Sequence, residues 1–183
     1  MKKFITAIAT MLALVSASSC GHFEVENTAT VDLAGNWMCT IYYGEDGEWV
    51  PYANSEFVTY NTAANVATEM WVNDYEGFWG TLCKVDCSNS ELTFGKEGAE
   101  YEDQYYGVNQ KIWGGKVTKN AVQAPGTPTT CDKIEFFIAF EDDQDEDKNP
   151  YITTYYVAGY RRTGFPEDDD NFIIEWDSYP AVK

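Results

Sequence analysis

The chain has 183 residues, 30 of them acidic and 12 basic, for a formal net charge of −18. That is the length of a single domain, able to bury about 70% of its extended surface without a metal or disulfide to hold it. A surface this acidic repels nucleic acid and anionic headgroups, which argues against a DNA or RNA partner.

Met1-Lys2-Lys3 sets two positive charges before an apolar run from Phe4 to Val15, too short for a bilayer crossing of about 20 residues. With the small residues 16–19 behind it, residues 1–19 read as a secretory signal peptide and are left out of the fold argument. Ala17-Ser18-Ser19-Cys20 resembles the lipobox of bacterial lipoproteins, without the Leu that many place three residues before the cysteine. The resemblance implies cleavage before Cys20, acylation of Cys20, and a cell-envelope protein held on the outer membrane. One acyl chain holds marginally, whereas two or three anchor durably. Residues 20–31 are then a lipidated tether and 32–183 the folded domain. The alternative is a secreted protein in which Cys20 is a disulfide partner.

From Gly35 the chain alternates: Trp37, Cys39, Ile41 and Tyr43 share one face, Met38, Thr40 and Tyr42 the other, as in a strand with apolar neighbours on both sides. A turn over 44–48 follows, then a brief strand over 49–52, and further strands over 56–62 and 67–73. Asp74-Tyr75-Glu76-Gly77 reads as a turn into a strand over 78–87, on which Cys83, Val85 and Cys87 face one way and Lys84 and Asp86 the other. A short strand at 92–94 precedes a long polar loop over 96–110. The strand over 111–118 is interrupted by Gly114-Gly115, which suits a bulge. The strand over 133–140, the acidic hairpin loop after it, the long β-rich run over 151–165 and a short strand over 172–176 complete the chain. No segment carries a helical apolar stripe. The pattern predicts an all-β fold, a single antiparallel barrel of about 8–10 strands.

Two features resemble the lipocalin and calycin group: Gly35-Asn36-Trp37 at the start of the first strand, and Arg161-Arg162 on a late one. In that group an arginine of the last strand packs across the tryptophan and closes the barrel floor, so the resemblance implies that role for Gly35, Trp37 and one of Arg161 and Arg162. Residues 60–65, Met70-Trp71-Val72-Asn73-Asp74, Phe78-Trp79-Gly80, Leu92-Thr93-Phe94 and the run 159–165 together resemble the lipid-binding putative hydrolase family of Bacteroidota lipoproteins, which is described with a calycin-like barrel. That family often has His where this chain has Tyr160, so any role of that histidine has no counterpart here.

The residues that carry chemistry are sparse. The single histidine, His22, lies beside the anchor, which removes Ser-His-Asp and Cys-His catalysis and histidine-ligated metals. There is no Gly-x-Ser-x-Gly elbow, phosphate loop or dinucleotide fingerprint. We therefore expect no catalytic residue, cofactor or metal, and the acidic Asp143, Asp145 and Asp147 read as a solvated hairpin tip. Cys39, Cys83, Cys87 and Cys131 allow three full disulfide pairings or serve as free buried thiols. Cys83 and Cys87 lie about 13 Å apart on a straight strand and cannot pair with each other. Six tryptophans and thirteen tyrosines remain as the leading clue. They suit an apolar cavity for a small lipid-like ligand, with Trp71, Trp79, Trp113 and Tyr156 expected to line it. The alternative is a surface module that contacts a glycan or a protein and has a filled core.

Overall fold

The structure is a computed structural model and describes residues 27–169, 176 and 179–182. The expected signal peptide, Cys20 and nearly all of the strand expected over 172–176 lie outside the described residues.

Among the described residues nine antiparallel strands follow one another: β1 Gly35–Glu45, β2 Glu48–Asn61, β3 Glu69–Asn73, β4 Leu82–Ser88, β5 Thr93–Phe94, β6 Tyr101–Glu102, β7 Asn109–Gln123, β8 Thr130–Phe140 and β9 Tyr155–Arg161. A four-residue helix, α1 Pro166–Asp169, follows. The sheet runs β5-β4-β3-β2-β1-β9-β8-β7-β6, and a further β5–β7 pairing, Thr93 with Lys116 and Phe94 with Gly115, closes its hydrogen bonds into a ring. The fold is all-β and barrel-like.

Several stretches depart from the sequence expectation, among them the expected loop over 96–110, which holds β6 and the start of β7, and the strand expected over 111–118, which runs on to 123. Residues 48–61 form one strand rather than two, because the register steps from Ile41 opposite Ala53 to Tyr42 opposite Pro51. Tyr52 is the extra residue of a bulge there, where a proline without an amide hydrogen is tolerated. Phe78–Thr81 is a loop, not strand, for reasons given below. The run over 151–165 contributes strand only at 155–161. Before it, Tyr151 at φ 60 and the bonds from the Tyr151 amide to the Phe140 carbonyl and from the Ile152 amide to the Asp143 carbonyl make a turn. The Gly114-Gly115 bulge falls where expected, at the register shift between Trp113 and Lys116.

Alternation sorts the strands' side chains into an interior and a covered exterior. Trp37, Cys39 and Ile41 of β1 join Phe57, Met70, Val72, Val85, Phe94, Ile112, Phe136, Phe140, Tyr155 and Val157 in one buried cluster that occupies the interior. On the outside, Met38, Ala124, Cys131 and Tyr160 form a second cluster, and Tyr42, Tyr156 and Ala158 a third that is backed by Trp49, Phe137 and Trp176.

Over the second cluster, buried Asp168 of α1 ties the ends of strands together. Its carboxylate accepts from the Gly126 amide at 2.9 Å, the Thr127 hydroxyl at 2.9 Å and the Thr163 hydroxyl at 2.5 Å, and its carbonyl accepts from Tyr160. Burial pushes the Asp168 pKa up, but the Thr163 and Thr127 hydroxyls and the backbone amides of Gly126 and Thr127 outweigh it and hold it below the ordinary value of 3.8. A carboxyl depressed on folding adds stability above its unfolded pKa and loses it as pH falls through the folded one. We expect Asp168→Asn to lower stability at neutral pH and to shrink the loss seen between about pH 5 and about pH 2. Urea midpoints across that range check it; an acid limb as steep as the wild type's would contradict it.

Candidate functional site

The two ends of the ring are built differently. At the base, where residues 27–34 arrive, buried Trp37 donates its indole Nε1–H to Thr59 Oγ1 at 2.8 Å, and the Thr59 hydroxyl donates on to the Leu33 carbonyl at 2.5 Å. Trp37 and Arg161 are direct partners across β1 and β9, so their side chains fall on the same side of the sheet. The Arg161 guanidinium lies 4.4 Å from the centroid of the Trp37 ring, donates to the Ala34 carbonyl at 2.6 Å and pairs with Asp132 at 3.0 Å. A Cβ on Gly35 would stand 2.4 Å from Arg161 Nη1, so only glycine admits the guanidinium. Arg162 is one residue out of phase and turns instead to Asp169 at 2.5 Å and Glu56 at 3.8 Å. An open depression of about 530 Å3 borders Asn36, Arg161, Arg162, Thr163 and Gly164, but both arginines already hold carboxylates.

The outer face of β7, β8, β9 and β1 carries a row of aromatic side chains in register: Trp113 opposite Phe137, Phe137 opposite Tyr156, and Tyr156 opposite Tyr42. Trp113 stacks on Phe137 at 5.5 Å, Phe137 and Tyr156 stand 5.5 Å apart, and Tyr156 and Tyr42 are 5.8 Å apart. The described C-terminal residues lie against this row. Trp49 Nε1 donates to the Pro180 carbonyl at 2.8 Å, Trp176 Nε1 donates to the Tyr42 hydroxyl at 3.1 Å, and the Tyr179 ring meets Tyr42 at 5.4 Å. Between row and C-terminal residues is a groove of about 300 Å3 bordered by Gly114, Phe136, Phe137, Tyr156, Tyr179 and Pro180. Small-ligand sites start at about that volume.

Polar atoms make up most of the groove's lining surface. Glu135 accepts from the Tyr156 hydroxyl at 3.0 Å and pairs through the same oxygen with Lys133, whose ammonium also sits 4.7 Å from the centroid of the Trp176 ring. Burial, then the Glu135 carboxylate, pushes the Tyr156 phenol far up, so it stays protonated and donates.

Of the four aromatics expected to share an internal cavity, the structure brings only Trp113 and Tyr156 into one neighbourhood, and that neighbourhood is outside the ring. Trp71 is half-buried on β3 between the core residues Met70 and Val72, so alternation turns it to the exterior. Trp79 sits at the end opposite the base, where it stacks on Phe140 at 4.7 Å and donates Nε1–H to Asp142 at 3.0 Å. Adjacent residues of a strand point apart, and where both faces are apolar the sequence does not say which residue of a pair such as Tyr155-Tyr156 is inside. Tyr179 and Pro180, which close the groove, carried no local signal because their place depends on the C-terminal residues folding back.

The far end is where Phe78–Thr81 leaves the strand pattern. Asp74, 1% exposed, accepts through Oδ1 from the Glu76 and Thr81 amides and through Oδ2 from those of Phe78, Trp79 and Gly80, at 2.7 to 3.3 Å. These amides serve a carboxylate, so they cannot serve a ladder. The Asp-x-x-Gly spacing of an Asx-type turn was the signal for it.

Reactive groups elsewhere are quiet. Cys39, Cys83, Cys87 and Cys131 are free thiols. Burial pushes Cys39 and Cys83 far up and Cys87 to about 11, so none supplies a thiolate near neutral pH. Among the described residues no group of three or more His, Cys, Asp or Glu side chains could hold a metal ion. Asp145 accepts from the Asp147 and Asn149 amides and caps its own turn.

The closed antiparallel sheet, with a buried cluster rich in aromatic side chains inside and a groove on its outer wall, defines a small all-β, barrel-like domain. Residues 22–166 match the model of a family described as lipid-binding putative hydrolase, and the chain belongs to that family. No curated protein is similar enough to count as a match.

Proposed function

We propose that this protein is an envelope lipoprotein, anchored through acylated Cys20, whose domain binds an apolar lipid-like ligand in the groove on its outer wall. The observation that carries this reading is the groove of about 300 Å3 bordered by Phe137, Tyr156 and Tyr179 together with Lys133 and Glu135. The family's description supports it. The reading places the ligand in the groove rather than inside the ring, where Trp37, Phe57, Phe94, Phe136 and Phe140 are buried together. Binding rather than hydrolysis is the work of this groove, since its one carboxylate is engaged by Tyr156 and Lys133 and its phenol is protonated.

Native mass spectrometry of the gently extracted protein and displacement of a fluorescent fatty acid from the detergent-free Cys20→Ala chain test the reading. A bound lipid is expected, with affinity for the probe weakened about tenfold by Tyr179→Ser. No bound lipid and no displacement would sink it. Cys20→Ala should also move the protein from the membrane fraction to the soluble fraction, and continued membrane association of that variant would refute the anchor.

A further inference from the structure

A different feature stands at the far end, independent of the groove. β1 runs from the base at Gly35 to the far end at Glu45, and the loops over 74–81 and 103–108 lie at that far end, away from where residues 27–34 enter. Each loop is organised by a buried aspartate. Asp74 holds the first; Asp103, also 1% exposed, accepts from the Leu82, Tyr105 and Tyr106 amides at 2.7, 3.0 and 2.7 Å and holds the second.

What these loops display is aromatic. Tyr75 is 60% exposed and Tyr106 63% exposed. The Tyr106 side chain is held in place, and both rings stand on loops with a fixed backbone. The Tyr106 hydroxyl donates to Glu76 Oε2 at 2.6 Å, joining the two loops. Its ring lies directly on the backbone of Gly80, where a Cβ would stand 2.4 Å from it, and Gly80 is at φ 84, which glycine alone adopts without strain. Tyr75 and Glu76 are themselves held at φ 51 and 61, the left-handed region that such residues rarely occupy. The strain is maintained by the bonds from the Tyr75 amide to Asn73 Oδ1 and from the Glu76 amide to Asp74 Oδ1, and it leaves a ring and a carboxylate exposed. Such strain gathers at binding sites, where the surroundings over-determine it.

We propose that Tyr75, Glu76 and Tyr106 form a preorganised platform for a neutral glycan. An exposed ring that is already fixed loses little side-chain freedom when a ligand stacks on it. The apolar C–H face of a pyranose fits such a ring, and the Glu76 carboxylate has acceptor capacity beyond the Tyr106 hydroxyl for sugar hydroxyls. Charge then chooses among glycans. Asp74, Glu76, Asp103 and Asp142 gather at this end of a chain of net charge −18, which repels an anionic polysaccharide and does not oppose a neutral one.

The test is retention of the Cys20→Ala chain on immobilised xylan, mannan, β-glucan and dextran, with polygalacturonate as the anionic comparison and polylysine as the cationic one. At least one neutral polysaccharide should retain it, and Tyr106→Ala and Tyr75→Ala should each weaken that retention about tenfold, Glu76→Gln less. Thermal melts of the variants should match the parent's, so that lost retention reports the platform rather than the fold. Retention by polylysine or polygalacturonate alone, retention by none of the neutral polymers, or neutral retention untouched by Tyr106→Ala would each overturn the proposal.

Discussion

Asp74→Ala should lower stability by about 3–4 kcal/mol, a large share of what a domain of this size has to spare. Five backbone amides point at this one buried carboxylate, those of Glu76, Phe78, Trp79, Gly80 and Thr81. A hydrogen bond to a charged group contributes about 1.5–3 kcal/mol, and leaving a buried donor unpaired costs about 1–3. The sum is not taken at face value. Water can reach the half-buried amides once the carboxylate is gone, and the five bonds form as a unit. Asp74→Asn should fall between, at about 2 kcal/mol, because its single carbonyl oxygen serves only one side of the cluster while its NH2 faces amide donors on the other. Urea unfolding followed by tryptophan fluorescence reads both values, and amide exchange should quicken at 76–81 before it does in β1. An Asp74→Ala protein within about 0.5 kcal/mol of the wild type would show that the loop does not depend on the carboxylate.

The same loop marks the limit of what residue pattern alone conveyed. Phe78-Trp79 has strand propensity, and propensity is a preference that a local carboxylate overrides by giving the amides a better partner. β1 was legible as a strand buried on both faces, though not as to which face is inside: Trp37, Cys39 and Ile41 go to one buried cluster, Met38 and Tyr42 to two others. The closure of the ring was legible in class but not in place. It depends on two short pairings, Thr93 with Lys116 and Phe94 with Gly115, between segments separated by a loop that itself contains β6. The candidate groove was only half legible. Trp113 and Tyr156 stood out as aromatics, but their convergence on Phe137 depends on the register of three strands, and the groove's outer wall on Tyr179 and Pro180.

The base offers the second large effect. Arg161→Met should cost about 2–3 kcal/mol, whereas Arg162→Met should stay within about 1 kcal/mol, although the two residues are neighbours. Arg161 holds three things at once: the Ala34 carbonyl, Asp132 and the face of Trp37. Methionine keeps the apolar stem but leaves that carbonyl without its donor and leaves Asp132 with Lys119 as its remaining cationic partner. The ring contact itself is the smaller part, about 0.5–1 kcal/mol at a partly exposed site. A double-mutant cycle with Trp37→Phe isolates it. Trp37→Phe alone also removes the indole N–H that donates to Thr59, so the single variants overlap in effect and only the coupling reports the stacking. Arg162 differs because its side chain is 40% exposed and its pairing with Asp169 is screened by water. Arg161→Lys sharpens the point, since an ammonium keeps the charge but cannot bond Ala34 and Asp132 in the guanidinium's fixed plane, and it should recover less than half of the loss. If Arg162→Met proved as costly as Arg161→Met, the guanidinium over Trp37 would not be what closes the base.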